Sequence, residues 1–370
     1  MSWFRRRLDR YLRPHFDRLE RGLAGNRAPP ADVAASVELS AAARRLEAKL
    51  DHAVHRVNEF QHAATVAEGE ARSLAERSLF LSGQIAAHHV RLLDRLGSLA
   101  DAEFRVHSQF GEDGIIEWLV SRLPDIPRVF IEFGVEDYEE ANTRFLARNR
   151  AWRGLVMDGS AARMERYRRS PFHEMHDVIG AQAFVTAENA DDLFAEHGIA
   201  GDIGLLSIDI DGNDYWVLKA IQSISPAILV VEYNALMGDL HAMTIPYEAQ
   251  FERFRAHHSG RYFGASLPAL RKLAERKGYR FVGTTSTGVN AFFVRDDLAD
   301  PVLEALGSVR AWPSRFHDTR DEAGGSAGLR GPGQIDPVAH LPVVDIETGA
   351  IRSIADLGPL HSPEMAKAYG

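Results

Sequence analysis

Cysteine is absent from the 370 residues, which removes disulfides, thiolate zinc sites, iron–sulfur clusters and cysteine nucleophiles together. A chain without any of these suits a reducing compartment, and the expectation is an intracellular, cytoplasmic protein. No run of 18 or more apolar residues occurs, so no segment predicts a membrane-spanning helix. The start, MSWFRRRLDRYLRPHF, has neither the apolar middle nor the small-residue cleavage site of a signal peptide. Positive charge is also short overall: a formal net charge of −9 argues against general nucleic-acid binding. What is present is a hydrophobic content of 45%, enough for one catalytic domain with extra segments.

The first thirty residues depart from the acidic balance, with eight arginines against three acids. Trp3, Phe4, Leu8, Tyr11, Phe16, Leu19 and Leu23 recur there at roughly helical spacing, broken by Pro14. Residues 1–30 therefore read as a basic amphipathic segment, either a peripheral contact with the inner membrane surface or a short helix packed on a protein body. Residues 31–104 form a helical zone. Within it Leu46, Leu50, Ala53, Val57, Phe60, Ala64, Ala67, Ala71 and Leu74 alternate four-three, the seam of a coiled coil. That pattern predicts a homo-oligomer, with a helical hairpin inside one chain as its rival.

From Val129 the pattern changes. RVFIEFG, GLVMDGS, DVIGAQAFVT, IGLLSIDID and AILVVEYN are short apolar runs separated by helical stretches, as in strands of a parallel sheet covered on both faces. SLPALRKLAERKGY reads as a helix with Ser266 as N-cap and Gly278 beyond its end. YRFVGTTSTGVNAFFVR then predicts two strands joined by a turn, an antiparallel pair closing a parallel sheet. Residues 105–300 are thus expected to form one doubly wound α/β domain. Residues 301–370 are rich in Gly and Pro and read as an appendage with a small hairpin in LPVVDIETGAIRSI. This tail could cover an active site or mediate contacts.

In open α/β sheets ligands lie beyond the carboxyl ends of the strands. Those ends carry Glu132, Phe133 and Gly134; Asp158, Gly159 and Ser160; Asp209 and Asp211; and Glu232, Tyr233 and Asn234. Four ends with acids point to one shared site. Asp158 suits the two hydroxyls of a ribose. The turn after the first strand, GVEDYEEAN, has only Gly134 for close backbone approach, and Glu136, Asp137, Glu139 and Glu140 add negative charge. Such a turn repels a pyrophosphate and attracts a cofactor with positive charge, as in S-adenosylmethionine.

The run IDIDGNDYWVLKAI, Ile208 to Ile221, together with IEFG and LVMDGS, resembles the signature of FkbM-type S-adenosylmethionine-dependent methyltransferases. The resemblance covers about Ser108 to Leu298. It implies a Rossmann-like class I methyltransferase sheet, mostly parallel, behind the extended helical N-terminal region. It also implies O-methylation of a hydroxylated small molecule or glycan. Asp209 and Asp211 fall on the family's acidic positions, Glu132 and Gly134 on its first-strand acid and glycine, and Asp158 on its ribose-binding acid. Asp209 or Asp211 would take the acceptor's proton or orient it. Alternatively Mg2+ among Asp209, Asp211, Glu232 and Asn234 would acidify the acceptor. Asp214 reads as a cap of the following helix.

The loop after the fifth strand carries His241, Tyr247, His257, His258 and Tyr262; His241 is a candidate base, and SQFGEDG, Ser108 to Gly114, could fold over a cofactor. Two rivals stay open. Asp209-Ile210-Asp211 is also the D-x-D by which glycosyltransferases hold a metal and a nucleotide sugar. The helical first hundred residues also suit a coiled-coil scaffold without catalysis. An EF-hand is excluded, because Asp214 stands at its glycine position and Ala220 at its glutamate position.

Overall fold

The computed structural model describes residues 31–369, so the basic segment 1–30 lies outside the described residues. The chain divides into two compact units, meeting in sequence at Ser78 and Leu79. Helix α1 (Ala31–Arg91) is one uninterrupted helix of 61 residues, so the apolar seam runs along a single rod and no hairpin forms. Among the described residues no helix is long and apolar enough to cross a membrane.

After a short turn, α2 (Glu112–Arg122) leads into alternating strands and helices: β1 (Val129–Phe133), α3 (Arg144–Arg150), β2 (Arg153–Asp158), α4 (Ala161–Arg168), α5 (Pro171–Met175), β3 (Val178–Gln182), α6 (Ala190–Glu196), β4 (Gly201–Ile208), α7 (Asp214–Ala220) and β5 (Ile224–Glu232). A two-residue strand β6 (Met243–Thr244), α8 (Arg253–Ala256) and α9 (Leu267–Arg276) precede β7 (Tyr279–Thr284) and β8 (Asn290–Arg295). The expected caps of α9 are in place: the Ser266 hydroxyl accepts from the Ala269 amide, and Gly278 takes φ +82° past the end.

Seven strands make one sheet in the order β3-β2-β1-β4-β5-β8-β7. The pairings from β3 through β5 are parallel, and β8 is antiparallel to both neighbours. Period-two alternation decides the faces. Phe130, Val156, Leu205, Ile228 and Phe292 join one core cluster. Their neighbours Ile131, Leu155, Leu206, Leu229 and Phe293 join the other. Burial on both sides explains why these strands read as continuous apolar runs.

The tail adds α10 (Asp300–Ala305) and the hairpin β9 (Pro342–Asp345) and β10 (Ile351–Ser353), then α11 (Pro363–Ala368). The hairpin also pairs with β6, making a second sheet, β10-β9-β6. Strand order reverses between β1 and β4, and the crevice for a ligand opens at their carboxyl ends.

Candidate active site

Gly134 ends β1 at φ +74°, and a Cβ there would lie 1.6 Å from the carbonyl oxygen of Asp209. Both the left-handed backbone and the close approach to the end of β4 require glycine. Where a second glycine would stand, Glu136 takes φ +52°, and Tyr138 follows at +61°. Such residues cost about 1–2 kcal/mol each, and Asp158 helps hold the turn by accepting from the Glu136 amide at 3.0 Å.

The acids of this turn are not the open negative field that the sequence predicts. Glu136 pairs with Arg163 at 3.0 Å, Asp137 with Arg166 at 2.6 Å, Glu139 with Arg144 at 3.5 Å and Glu140 with Arg105 at 2.8 Å. Two of these arginines come from α4 and one from α3, partners that the loop read alone does not reveal.

Glu132 is buried and accepts from the Asn142 amide at 2.8 Å, the Thr143 amide at 3.0 Å, the Thr143 hydroxyl at 2.5 Å and the Ser207 hydroxyl at 3.3 Å. Burial raises its pKa and these donors oppose the shift. Asp158 also takes the Ser160 amide at 2.7 Å. The Ser160 hydroxyl in turn caps α4, and Phe133 is fully buried in the core.

The other side of the crevice is different. Asp209 has no hydrogen-bond donor among the described residues, and its pKa stands well above the usual range, raised by burial and then by Asp211, Asp214 and Glu132. Glu232 is buried and its Oε2 has no partner among the described residues; burial, then Asp209 and Asp211, raise its pKa strongly. Arg253 of α8 reaches between them. Its guanidinium pairs with Asp211, lies 3.9 Å from Glu232 Oε1, and stacks 3.7 Å from the Phe263 ring centre. Asp214 accepts from the Ile210 and Gly212 amides. It therefore clamps the turn before α7, and burial pushes it up to about 6 against those donors.

These groups open onto a cavity of about 830 Å3, bounded by Gly134, Asp158, Phe184, Asp209 and Glu232. A second cavity of about 140 Å3 shares Gln109, Glu232 and Arg253 with it. One wall of the second cavity is the tail, through Ser314, Phe316 and Asp318. Phe316 packs 4.7 Å from Phe110, and Asp318 pairs with Arg261 at 2.6 Å.

SQFGEDG supplies Gln109 and Phe110 to these cavities because its acids turn inward. Asp113 accepts from the Val106, His107 and Ser108 amides, and Glu112 accepts from the Phe110 and Gly111 amides. Glu112 also receives the Asn290 amide at 2.9 Å.

His241 does not line either cavity; its Nε2 meets the Pro359 carbonyl at 2.9 Å. The pairing of β6 with β9 draws this part of the loop toward the tail hairpin. His257 faces Ser259, Tyr247 bonds Glu188 and Tyr262 bonds the Pro342 carbonyl at 2.5 Å.

The residues considered for Mg2+ do not form a ligand set. Asn234 spends its amide on the Arg261 and Phe263 carbonyls and the Leu236 amide, and Asp211 holds a guanidinium. Among the described residues no group of three or more His, Asp or Glu is arranged to hold a metal.

A single reversed strand beside an otherwise parallel sheet, with its crevice at the β1/β4 switch, defines a Rossmann-like methyltransferase fold. Residues 112–281 match the family model of the methyltransferase FkbM domain, so that part of the chain is similar to S-adenosylmethionine-dependent methyltransferases of that type. No curated protein matches the sequence.

Similar solved structures include TrmK from M. capricolum in complex with S-adenosylhomocysteine, at 9% identity over 48% of this chain and 65% of that one, TM-score 0.27. An O-methyltransferase from Bacillus cereus, also with S-adenosylhomocysteine, shows 15% identity over 57% of this chain and 89% of that one, TM-score 0.34. An S-adenosylmethionine-dependent methyltransferase from Clostridium acetobutylicum shows 9% over 50% and 90%, TM-score 0.32. This chain thus spans less than two thirds of the first of them.

Proposed function

We propose that this chain is an O-methyltransferase that moves the methyl group of S-adenosylmethionine to a hydroxyl of a polyhydroxylated acceptor, a sugar or glycan. The observation that carries the reading is Glu232, a buried carboxylate with an unpartnered oxygen that borders both cavities. The larger cavity is of ligand size. Its donor set fits this cofactor: Asp158 at the end of β2 for the ribose hydroxyls, Gly134 for close backbone approach, and unpaired Asp209 for positive charge. The smaller cavity fits the acceptor. It offers aromatic faces from Phe110, Phe263 and Phe316 beside balanced charges, Arg253 with Glu232 and Arg261 with Asp318, a lining suited to neutral hydroxyl groups.

S-adenosylmethionine supplies an electrophilic methyl group on a sulfonium. The chain supplies orientation and a place for the proton. As the acceptor oxygen gains its bond to carbon and the carbon–sulfur bond breaks, the hydroxyl proton passes to Glu232. Arg253, 3.9 Å away, favours the ionised carboxylate that this step needs and remains protonated throughout. The buried site limits competing water.

Calorimetric titration of ligand-stripped protein with S-adenosylmethionine and S-adenosylhomocysteine, beside a panel of nucleotide sugars with and without magnesium, tests the reading. Micromolar binding of the adenosyl compounds without metal is expected. Silence there, with magnesium-dependent binding of a nucleotide sugar, would establish the D-x-D alternative instead.

A further inference from the structure

The seam of α1 contains both large and small residues, and their order along the helix carries information about what covers it. In heptad terms Ala43, Leu50, Val57, Ala64 and Ala71 occupy one core position, and Leu46, Ala53, Phe60, Ala67 and Leu74 the other. None of these ten is charged, although Arg44, Arg45, Glu47, Lys49, Arg56, Glu68, Glu70 and Arg72 lie among them. The large members are open: Leu46 is 70% exposed, Val57 54% and Phe60 76%. With Leu39, Leu50 and Leu74 they present on the order of 700 Å2 per copy, near the ~800 Å2 per partner of a standard stable interface.

We infer that this face is covered by a second copy of the chain, running antiparallel, in a two-stranded coiled coil centred between Val57 and Phe60. In this register each large residue meets a small one or fills the centre. Leu46 lies opposite the partner's Ala71, Leu50 opposite the partner's Ala67, Leu74 opposite the partner's Ala43, and Val57 opposite the partner's Phe60. The contact is isologous, so each layer occurs twice. Lys49 on one flank faces the partner's Glu70 and Glu47 on the other faces the partner's Glu68, so the flanking charges offset one another and the fit of large residues against small ones decides the orientation. A parallel pairing in register packs worse. It stacks Phe60 on Phe60 beside three consecutive alanine layers, at Ala64, Ala67 and Ala71. The inference is independent of the proposed chemistry.

Sedimentation equilibrium of the full chain at micromolar concentration should return twice the chain mass of 41.1 kDa. Leu46→Glu combined with Phe60→Glu should return the single mass, with S-adenosylhomocysteine binding retained as proof of an intact catalytic domain. A single mass for the unaltered chain overturns the dimer, whichever segment then shields the seam. Orientation has its own test, free of background because the chain has no cysteine. Mixed Leu50→Cys and Ala67→Cys chains should be joined to each other by a short bismaleimide, and neither to itself. The two Leu50 positions lie roughly 25 Å apart in the antiparallel register at ~1.5 Å rise per residue. Efficient joining of Leu50→Cys chains to one another overturns the antiparallel arrangement.

Discussion

The two sides of the crevice carry the same kind of residue with different hydrogen bonding: burial raises the pKa of Glu132, Asp209 and Glu232 alike, and only Glu132 has a set of donors to oppose it. On the β1/β2 side Glu132 and Asp158 are met by donors: four for Glu132 and two backbone amides for Asp158. On the β4/β5 side, among the described residues, Asp209 has no donor and Glu232 leaves an oxygen unpartnered, with Arg253 nearby to offset them. Hydrogen bonds favour an ionised carboxylate, while burial without them disfavours it. The first pair is therefore committed to shaping the loop before α3 and α4. The second stores unfavourable electrostatics that a cationic ligand or a transferred proton relieves, the usual condition of a working site.

The largest expected effect follows from that contrast. Glu232→Gln should lower kcat by roughly 10²–10⁴, the usual worth of a positioned base, while raising thermal stability. The sign follows from linkage. A carboxyl whose folded pKa is raised loses stability as pH climbs from its unfolded pKa toward the folded one, so at neutral pH its replacement by an amide removes a cost. A rise in Tm of roughly 2–4 °C would accompany about 1 kcal/mol in a domain of this size. Unchanged kcat would remove Glu232 from the mechanism, and a lower Tm would contradict its strained state.

Glu132→Ala should move stability the other way. It leaves the buried Asn142 and Thr143 amides without their acceptor, a loss of about 2–4 kcal/mol, read as a lower Tm and a lower urea midpoint. If both variants shift Tm in the same direction, the division of the crevice into a committed side and a strained side fails.

The sheet was legible because its signal is local. Four of the five parallel strands, β1, β2, β4 and β5, are apolar runs with an acid at the carboxyl end, and the closing strands are joined by a Gly/Thr/Ser turn. The helical character of α1 was legible for the same reason. What could not be read is which acids are satisfied, because the deciding partners are remote. Ser207 lies 75 residues from Glu132, and Arg253 lies 42 residues from Asp211. Nothing in FERFR separates Arg253 from Arg255; the first is buried against Asp211, and the second stays exposed at the rim of the same cavity and pairs locally with Glu252 at 3.0 Å. The same limit affected the turn after β1, whose acids each find an arginine. It also affected His241, one candidate base by its place in the long loop after β5, which the pairing of β6 with β9 turns toward the tail. Phe316 belongs to the site only because the tail returns across it, and no periodicity announces that.

The smallest effect sharpens the comparison most directly, because it reads protons. Asp209 and Glu232 have raised pKa values in the free protein, so the pair holds a proton over a pH range where free carboxyls are ionised. A positive charge placed beside them favours their ionised forms and releases that proton; S-adenosylmethionine carries one more positive charge than S-adenosylhomocysteine. Titrations near pH 7 in buffers of different ionisation enthalpy should therefore show more protons released with S-adenosylmethionine, by a fraction of one proton per site. Arg253→Met should enlarge the difference, since that guanidinium opposes both shifts and its loss leaves the pair more fully protonated at the start. Glu232→Gln should shrink it, whereas an alteration on the committed side, Asp158→Asn, should weaken binding of both adenosyl compounds and leave the difference in protons as it was. Equal proton release for the two compounds would mean that the strained pair does not face the sulfonium.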